Sequence, residues 1–270
     1  MTEQEISEVL KEMKNGKAPG PDGFNVGFFK VYWNIVKRDI VKIVQDSRRN
    51  KTILKALNTS FIALIPKQDN AQTPKKYRPI SLCNVVYKII SKVVANILKS
   101  LLPTLMSREQ TRYVEGRQIL DNIIQAHEVV HSLTCNKRVG MIMQLDIAKS
   151  YDKVNWMYIK KVLTAFGFNH NWVRWVMALV TSSSFSILVN GSPSELFLPS
   201  KGLRQGDKLS PFLFILMMEG LGQSIKHARE MCKIQGPQLS ENGQVLTHQH
   251  FVDDTILQGI PTVKEALAYK

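Results

Sequence analysis

The strongest constraint on how this chain folds is an apolar segment that must reverse direction at two adjacent carboxylates. In His248-Gln-His-Phe-Val-Asp-Asp-Thr-Ile-Leu257, Asp253 and Asp254 separate two short β-prone runs. Aromatic and β-branched residues suit strands, whereas Asp suits turns because its side chain bonds nearby backbone amides. The pair therefore reads as the tip of a hairpin. Taken alone it is a solvated turn sooner than a cation site.

Two further polar islands punctuate the same hydrophobic half. Met141-Ile-Met-Gln-Leu-Asp146 is an apolar run closed by an Asp, and Asp152 follows in a helix-like stretch. Lys201-Gly-Leu-Arg-Gln-Gly-Asp-Lys-Leu-Ser-Pro211 is a polar, Gly-bearing loop that opens into an apolar helix at a Ser-Pro start signal.

These strings resemble the polymerase motifs A, B and C of the reverse transcriptases of non-LTR (LINE-type) retrotransposons. Upstream, Gly16-Lys-Ala-Pro-Gly-Pro-Asp-Gly23, Leu64-Ile-Pro-Lys67, Tyr77-Arg-Pro-Ile-Ser-Leu82 and Glu115-Gly-Arg-Gln-Ile119 resemble that family's fingers motifs, in the family's order. The resemblance spans nearly the whole chain. It implies an α/β (α+β) right-hand polymerase fold with fingers and a partial palm, an antiparallel palm sheet backed by helices, and no thumb. Residues 1–136 are expected to form the fingers-like region and 137–270 the partial palm with motifs A, B and C, with a soft boundary near Asn136.

The resemblance also assigns chemistry. Strand extension needs a 3′ hydroxyl to attack an α-phosphate, and two hard cations about 4 Å apart can stabilise the attacking and leaving oxygens. Asp146, Asp253 and Asp254 are implied as catalytic residues and ligands for Mg²⁺, with Mn²⁺ as a substitute. Tyr151 is implied as an aromatic under the incoming sugar that clashes with a 2′ hydroxyl, against its plain reading as a core Tyr. Gln205 and Gly206 are implied as nucleotide contacts, against a simple loop. Arg78 and Lys88 are implied as fingers residues that meet phosphates, Arg offering a planar fork and Lys a point charge. Asp152 reads as the N-cap of the next helix. The implied partners are an RNA template, a DNA primer and deoxynucleoside triphosphates.

Charge agrees with a polyanionic partner: the formal net charge is +14 and the pI is near 9.7. Between Phe61 and Ser100, Lys67, Lys75, Lys76, Arg78, Lys88, Lys92 and Lys99 stand against Asp69 alone, which a solvated helix face explains equally well. No apolar run approaches the roughly 20 residues of a membrane span. Cys83, Cys135 and Cys232 have neither zinc-ligand nor disulfide-framework spacing, which fits a reducing, intracellular setting, nuclear or cytoplasmic by the family's habit.

Local signals place the elements. Thr2 with Glu5 makes a capping box ahead of the stripe Ile6, Val9, Leu10 and Met13, which Asn15-Gly16 ends. Lys17–Gly23 must be a loop, and a helical stretch runs from Phe24 to about Arg49. Phe61–Ile65 is a strand, and amphipathic helices run over Val85–Leu102 and Ile119–Leu133. Asn190-Gly191 predicts a tight hairpin between Phe185–Val189 and Ser194–Leu198.

Several residues depart from the family pattern. Lys208 replaces a Pro. Val252 replaces an Ala, a mild change for a strand residue. Arg112 stands where a small residue is usual, and Ile97 where an Arg is. Gln249-His250 replaces an apolar pair, at a cost of about 1–3 kcal/mol for each polar group buried without a partner. His248, His250 and Asp253 also raise a two-His-one-carboxylate metal site as a minor alternative. The chain stops soon after Asp254, so the expected activity is weak or distributive synthesis, with a catalytically silent nucleic-acid-binding relic or an unselected relic as the alternatives.

Overall fold

The structure, a computed structural model, describes residues 1–135, 139–237 and 245–269. The boundary expected near Asn136 lies outside them. In chain order the elements are α1 (Glu3–Glu12), α2 (Val26–Val31), α3 (Trp33–Asn50), β1 (Thr59–Pro66), β2 (Tyr77–Cys83), α4 (Val85–Leu105), α5 (Ile119–Cys135), β3 (Met141–Asp146), α6 (Ser150–Lys153), α7 (Trp156–Ala165), α8 (His170–Thr181), β4 (Ser184–Val189), β5 (Ser192–Pro193), α9 (Ser210–Glu230), β6 (His248–Phe251), β7 (Asp254–Gly259) and α10 (Val263–Ala268). They gather into two compact units, one of residues 1–98 with 151–210 and one of residues 99–150 with 211–270.

In the first unit, α1 starts where its sequence dictates. The Thr2 side chain accepts from the Glu5 amide, the Glu5 carboxylate accepts from the Thr2 amide, and Ile6, Val9 and Leu10 are buried. The single helix expected from Phe24 is interrupted. Tyr32 leaves helical geometry at φ −95°, ψ 18° and separates α2, capped by Asn25, from α3. The sheet of this unit has the order β2-β1-β4-β5, with β1 antiparallel to β2 and parallel to β4. Asn190 and Gly191 take φ 51° and 82°, the left-handed pair that a two-residue hairpin demands. The return arm is shorter than expected: β5 ends at Pro193, which lacks an amide donor, and the rest of Ser194–Leu198 contributes one bridge, Phe185 to Phe197.

The second unit is built on an antiparallel sheet of order β3-β7-β6. Helices cover both faces of β6. Gln249 donates to the Asn122 carbonyl (3.3 Å) and to Gln125 Oε1 (3.1 Å) of α5, and accepts from Gln258 Nε2 (3.2 Å). Alternate side chains of a strand point to opposite faces, so His248 and His250 turn the other way, onto Gly222 of α9. The outer edge of β6 is closed by the Glu109-Gln110 segment, whose Glu109 carbonyl accepts from the His250 amide at 2.9 Å. The expectation that Gln249 is a buried amide without partners is corrected, because three hydrogen bonds satisfy it. A small core of Ile225, Ile234 and Leu257 lies against Met143, Ala228, Ala268 and Tyr269.

No helix among the described residues is long and apolar enough to cross a membrane. The three thiols are free, Cys83 buried and Cys135 and Cys232 exposed.

Candidate active site

Register brings two of the three implied metal ligands together. β3 ends at Asp146, β7 begins at Asp254, and these residues are direct partners across the antiparallel ladder. Opposed residues share a face, with Cβ atoms about 4.5–5.5 Å apart. Asp253 precedes Asp254 in the two-residue turn that joins β6 to β7, Phe251 pairing with Asp254 to close it. Burial, then the charges of Asp253 and Asp146, raises the Asp254 carboxyl above its ordinary value.

The three carboxylates are thus electrostatic neighbours that repel one another when ionised. Among the described residues no three His, Cys, Asp or Glu side chains already converge on one metal-binding point. The donor set nevertheless suits a hard divalent cation. It is all oxygen, it lies at one end of a sheet, and a bound dication would relieve the repulsion that adds to burial in raising Asp254.

Two features of this hairpin were not foreseen. Val252 lies in the turn at φ 60° rather than in a strand, so its β-branched side chain is not the mild replacement expected. A left-handed conformation at such a residue costs on the order of 1–3 kcal/mol and persists only where its surroundings impose it. Ser150, buried at the start of α6, donates to Asp253 Oδ2 at 3.3 Å. A Ser between Asp146 and Tyr151 carries no distinguishing sequence signal, because only the fold brings it to Asp253.

The two-His-one-carboxylate alternative is not assembled. His248 Nδ1 bonds Thr247 Oγ1 (3.0 Å) and His250 Nδ1 bonds Thr255 Oγ1 (2.9 Å), with both rings fully buried. Burial holds His248 down at about 4 and His250 at about 3; Lys226 opposes protonation of both and His248 that of His250, while Glu109 favours it for both. Their Nε2 atoms have no hydrogen-bond partner among the described residues. Arg112 finds a different use for its bulk, with its guanidinium 5.4 Å from the Tyr113 ring centroid and 5.0 Å from that of Phe251.

The five residues implied in nucleotide binding all belong to the first unit. Arg78 is exposed on β2, opposite Ile65. Lys88, half-buried on α4, donates to the Ala18 carbonyl at 3.3 Å, and its desolvation lowers its pKa. That carbonyl belongs to the Pro-Gly loop, where Gly20 lies so close to Asn84 that any Cβ would collide with it. Tyr151 lies in α6, its carbonyl accepting from Leu203 N at 2.8 Å. Ser81 N donates to the Gln205 carbonyl at 2.8 Å, and Gly206, at φ 103°, would bring a Cβ to 3.3 Å from the Ser81 carbonyl. The Gly206 position therefore needs both glycine's conformational range and its small size. Asp152 is not an N-cap; it lies inside α6, and Asn155 caps α7 by accepting from Met157 N and Tyr158 N.

The reverse transcriptase (RNA-dependent DNA polymerase) family matches residues 65–260. The transposon TX1 uncharacterized 149 kDa protein of Xenopus laevis is 26% identical over 260 residues, covering 95% of this chain and 19% of that protein. The retrovirus-related Pol polyprotein from type-2 retrotransposable element R2DM of Drosophila melanogaster is 26% identical over 224 residues, covering 82% of this chain and 20% of that protein. The chain thus spans about a fifth of the length of these two relatives. Among solved structures, apo telomerase from Candida tropicalis, truncated from its C-terminal domain, superposes with a TM-score of 0.54 at 13% identity, covering 91% of this chain and 51% of that one. At that identity the likeness is one of fold.

Proposed function

Because this chain belongs to the reverse transcriptase (RNA-dependent DNA polymerase) family, of the non-LTR retrotransposon kind, we propose that it performs RNA-directed DNA synthesis with Asp146, Asp253 and Asp254 as its metal-binding carboxylates. The observation that carries this reading is the pairing of Asp146 with Asp254 beside the Asp253 turn. Two Mg²⁺ ions, when bound, would activate the primer 3′ hydroxyl for attack on the α-phosphate and neutralise charge on the departing pyrophosphate. The protein's part is to hold three negative charges at one sheet end, and the Ser150 hydroxyl steadies Asp253 for it.

The remaining roles are proposals of the same reading. Tyr151 blocks a 2′ hydroxyl on the incoming sugar, and Gln205 and Gly206 contact the nucleotide. Arg78 and Lys88 meet phosphates of the triphosphate or template. Arg78 is exposed and can do so directly, whereas Lys88 is half-buried and gives one of its three N–H donors to the Ala18 carbonyl. RNA template, DNA primer and deoxynucleoside triphosphates are the proposed partners.

The test is extension of a DNA primer annealed to RNA by the purified chain in Mg²⁺, beside Asp253→Asn and Asp146→Asn. Loss of several kcal/mol of charge stabilisation should slow extension about 10³-fold in each variant, and chelation of Mg²⁺ should abolish it. Extension that survives both substitutions would place the chemistry elsewhere. The net charge of +14 supports a second reading, a silent nucleic-acid binder. That reading predicts binding that weakens steeply with salt and is indifferent to Asp253→Asn, in a chain that extends nothing.

A further inference from the structure

The loop that carries Gln205 and Gly206 is flanked by two buried charges. Arg204 and Asp207 are each only 7% exposed, although Gly206 between them is exposed. Burying a guanidinium and a carboxylate is costly unless their donors and lone pairs are satisfied, and apolar residues of similar volume usually serve stability as well or better. Their presence beside an exposed loop tip therefore calls for a reason other than packing.

Their contacts supply one. Arg204 Nη2 donates to the Leu179 carbonyl at the end of α8 (2.7 Å), Nη1 reaches Ser60 Oγ on β1 (3.4 Å), and the guanidinium lies 4.0 Å from the centroid of the Tyr87 ring. The same Tyr87 donates its hydroxyl to Asp207 Oδ2 at 3.0 Å, while Ser91 Oγ donates to Asp207 Oδ1. Tyr87 is thus the common member, ring against the residue before the Gln-Gly pair and hydroxyl to the residue after it. The loop also borders a cavity of about 150 Å³ shared with Ser81, Phe185 and Phe197. Through Leu203 N to the Tyr151 carbonyl and Ser81 N to the Gln205 carbonyl, the position of this loop also fixes the backbones of α6 and β2 against it.

We propose that Arg204, Tyr87 and Asp207 form a buried clamp whose role is to position the Gln205-Gly206 loop, and with it the Tyr151 backbone, for the incoming nucleotide. The nucleotide part rests on the reading given under Proposed function; the clamp itself does not. The three are positioning residues, acting through Gln205, Gly206 and Tyr151.

Two measurements on the full chain test this, using Tyr87→Phe and Asp207→Asn. Tyr87→Phe keeps the ring under the guanidinium and removes a single hydroxyl. Hydrogen–deuterium exchange at residues 203–207 should speed up about tenfold in each variant, the consequence of losing one buried hydrogen bond, while exchange in β7 stays unchanged. In primer extension the KM for deoxynucleoside triphosphate should rise about tenfold with kcat little altered. Arg204→Lys, which keeps charge but loses the planar fork, should behave like the other variants. Loop exchange unchanged in both Tyr87→Phe and Asp207→Asn overturns the clamp. Exchange that rises equally throughout the first unit overturns it too, since that is general destabilisation. Faster loop exchange with an unchanged KM overturns the positioning role. Absence of extension by the unaltered chain would defeat the polymerase reading, and loop exchange would still decide whether the clamp exists.

Discussion

The loop at residues 203–207 and the hairpin at 248–255 both bury polar side chains beside residues proposed to act on the substrate, yet they do so in opposite ways. In the loop, Arg204 and Asp207 are met by a carbonyl, three hydroxyls and a ring face. In the hairpin, His248 and His250 each bond through Nδ1 and leave Nε2 without a partner among the described residues, and Val252 holds a left-handed turn. Satisfied polar groups specify a conformation, whereas half-satisfied ones tax it. The loop is therefore expected to be held by its polar groups, and the hairpin by the helices on its two faces in spite of them.

Acid should separate the two most strongly. A His whose folded value lies below its ordinary 6.5 stabilises the fold only in its neutral form, so stability is lost as pH falls below 6.5 and the loss is complete near the folded values of about 4 and 3. The loss should be on the order of 3 kcal/mol for each ring. Urea unfolding followed from pH 7 to pH 4 should show it, and the slope should shrink in His248→Phe; an equal slope in that variant would remove the imidazoles from the explanation. Next in size, Arg204→Met removes one of the two side-chain donors to the Leu179 carbonyl, Asn58 Nδ2 remaining, and takes the guanidinium off the Tyr87 ring, for a loss of about 2 kcal/mol. A change below 1 kcal/mol would mean that the loop does not depend on its buried charge.

Gly222→Ala is a subtler probe, because helix propensity alone would make it stabilising by about 1 kcal/mol. Its Cβ would meet His248 Nε2 at 2.9 Å and His250 Nε2 at 3.3 Å. Overpacking should reverse the sign, giving a net loss of about 1 kcal/mol; a rise in Tm would show that the rings have room to move. The smallest effect is expected from His248→Phe at pH 8, within about 1 kcal/mol of the unaltered chain, because an apolar ring of similar shape gives up one hydrogen bond while removing an unpartnered nitrogen. A loss comparable to that of Arg204→Met would erase the contrast between the two regions.

Sequence reading succeeded where the determinants are local. The Thr2 capping box, the helix from Val85, the Asn190-Gly191 turn and the strand ending at Asp146 each depend on residues a few positions apart, and each is present. It failed at two local boundaries, where Tyr32 breaks a helix that periodicity alone continues and Asn155 rather than Asp152 caps α7. It failed too where a partner from another segment decides. Gln249 looked like an unpaired burial because Asn122 and Gln125 are distant in sequence and Gln258 meets it only across the folded hairpin. Val252 looked like a strand residue because nothing in Phe-Val-Asp-Asp says on which side of the turn it falls.

By itself the sequence determined the order of the motifs, the kinds of element that carry them and the chemical type of the candidate site, since carboxylates at strand ends and a Gly-bearing polar loop are written in residue identity. The tertiary structure alone decided that Asp146 faces Asp254, that Ser150 reaches Asp253 and that Arg204 and Asp207 share Tyr87. Those facts depend on strand register and on segments folded back from far along the chain, and residue identity fixes neither until the two packed cores have chosen which faces to bury.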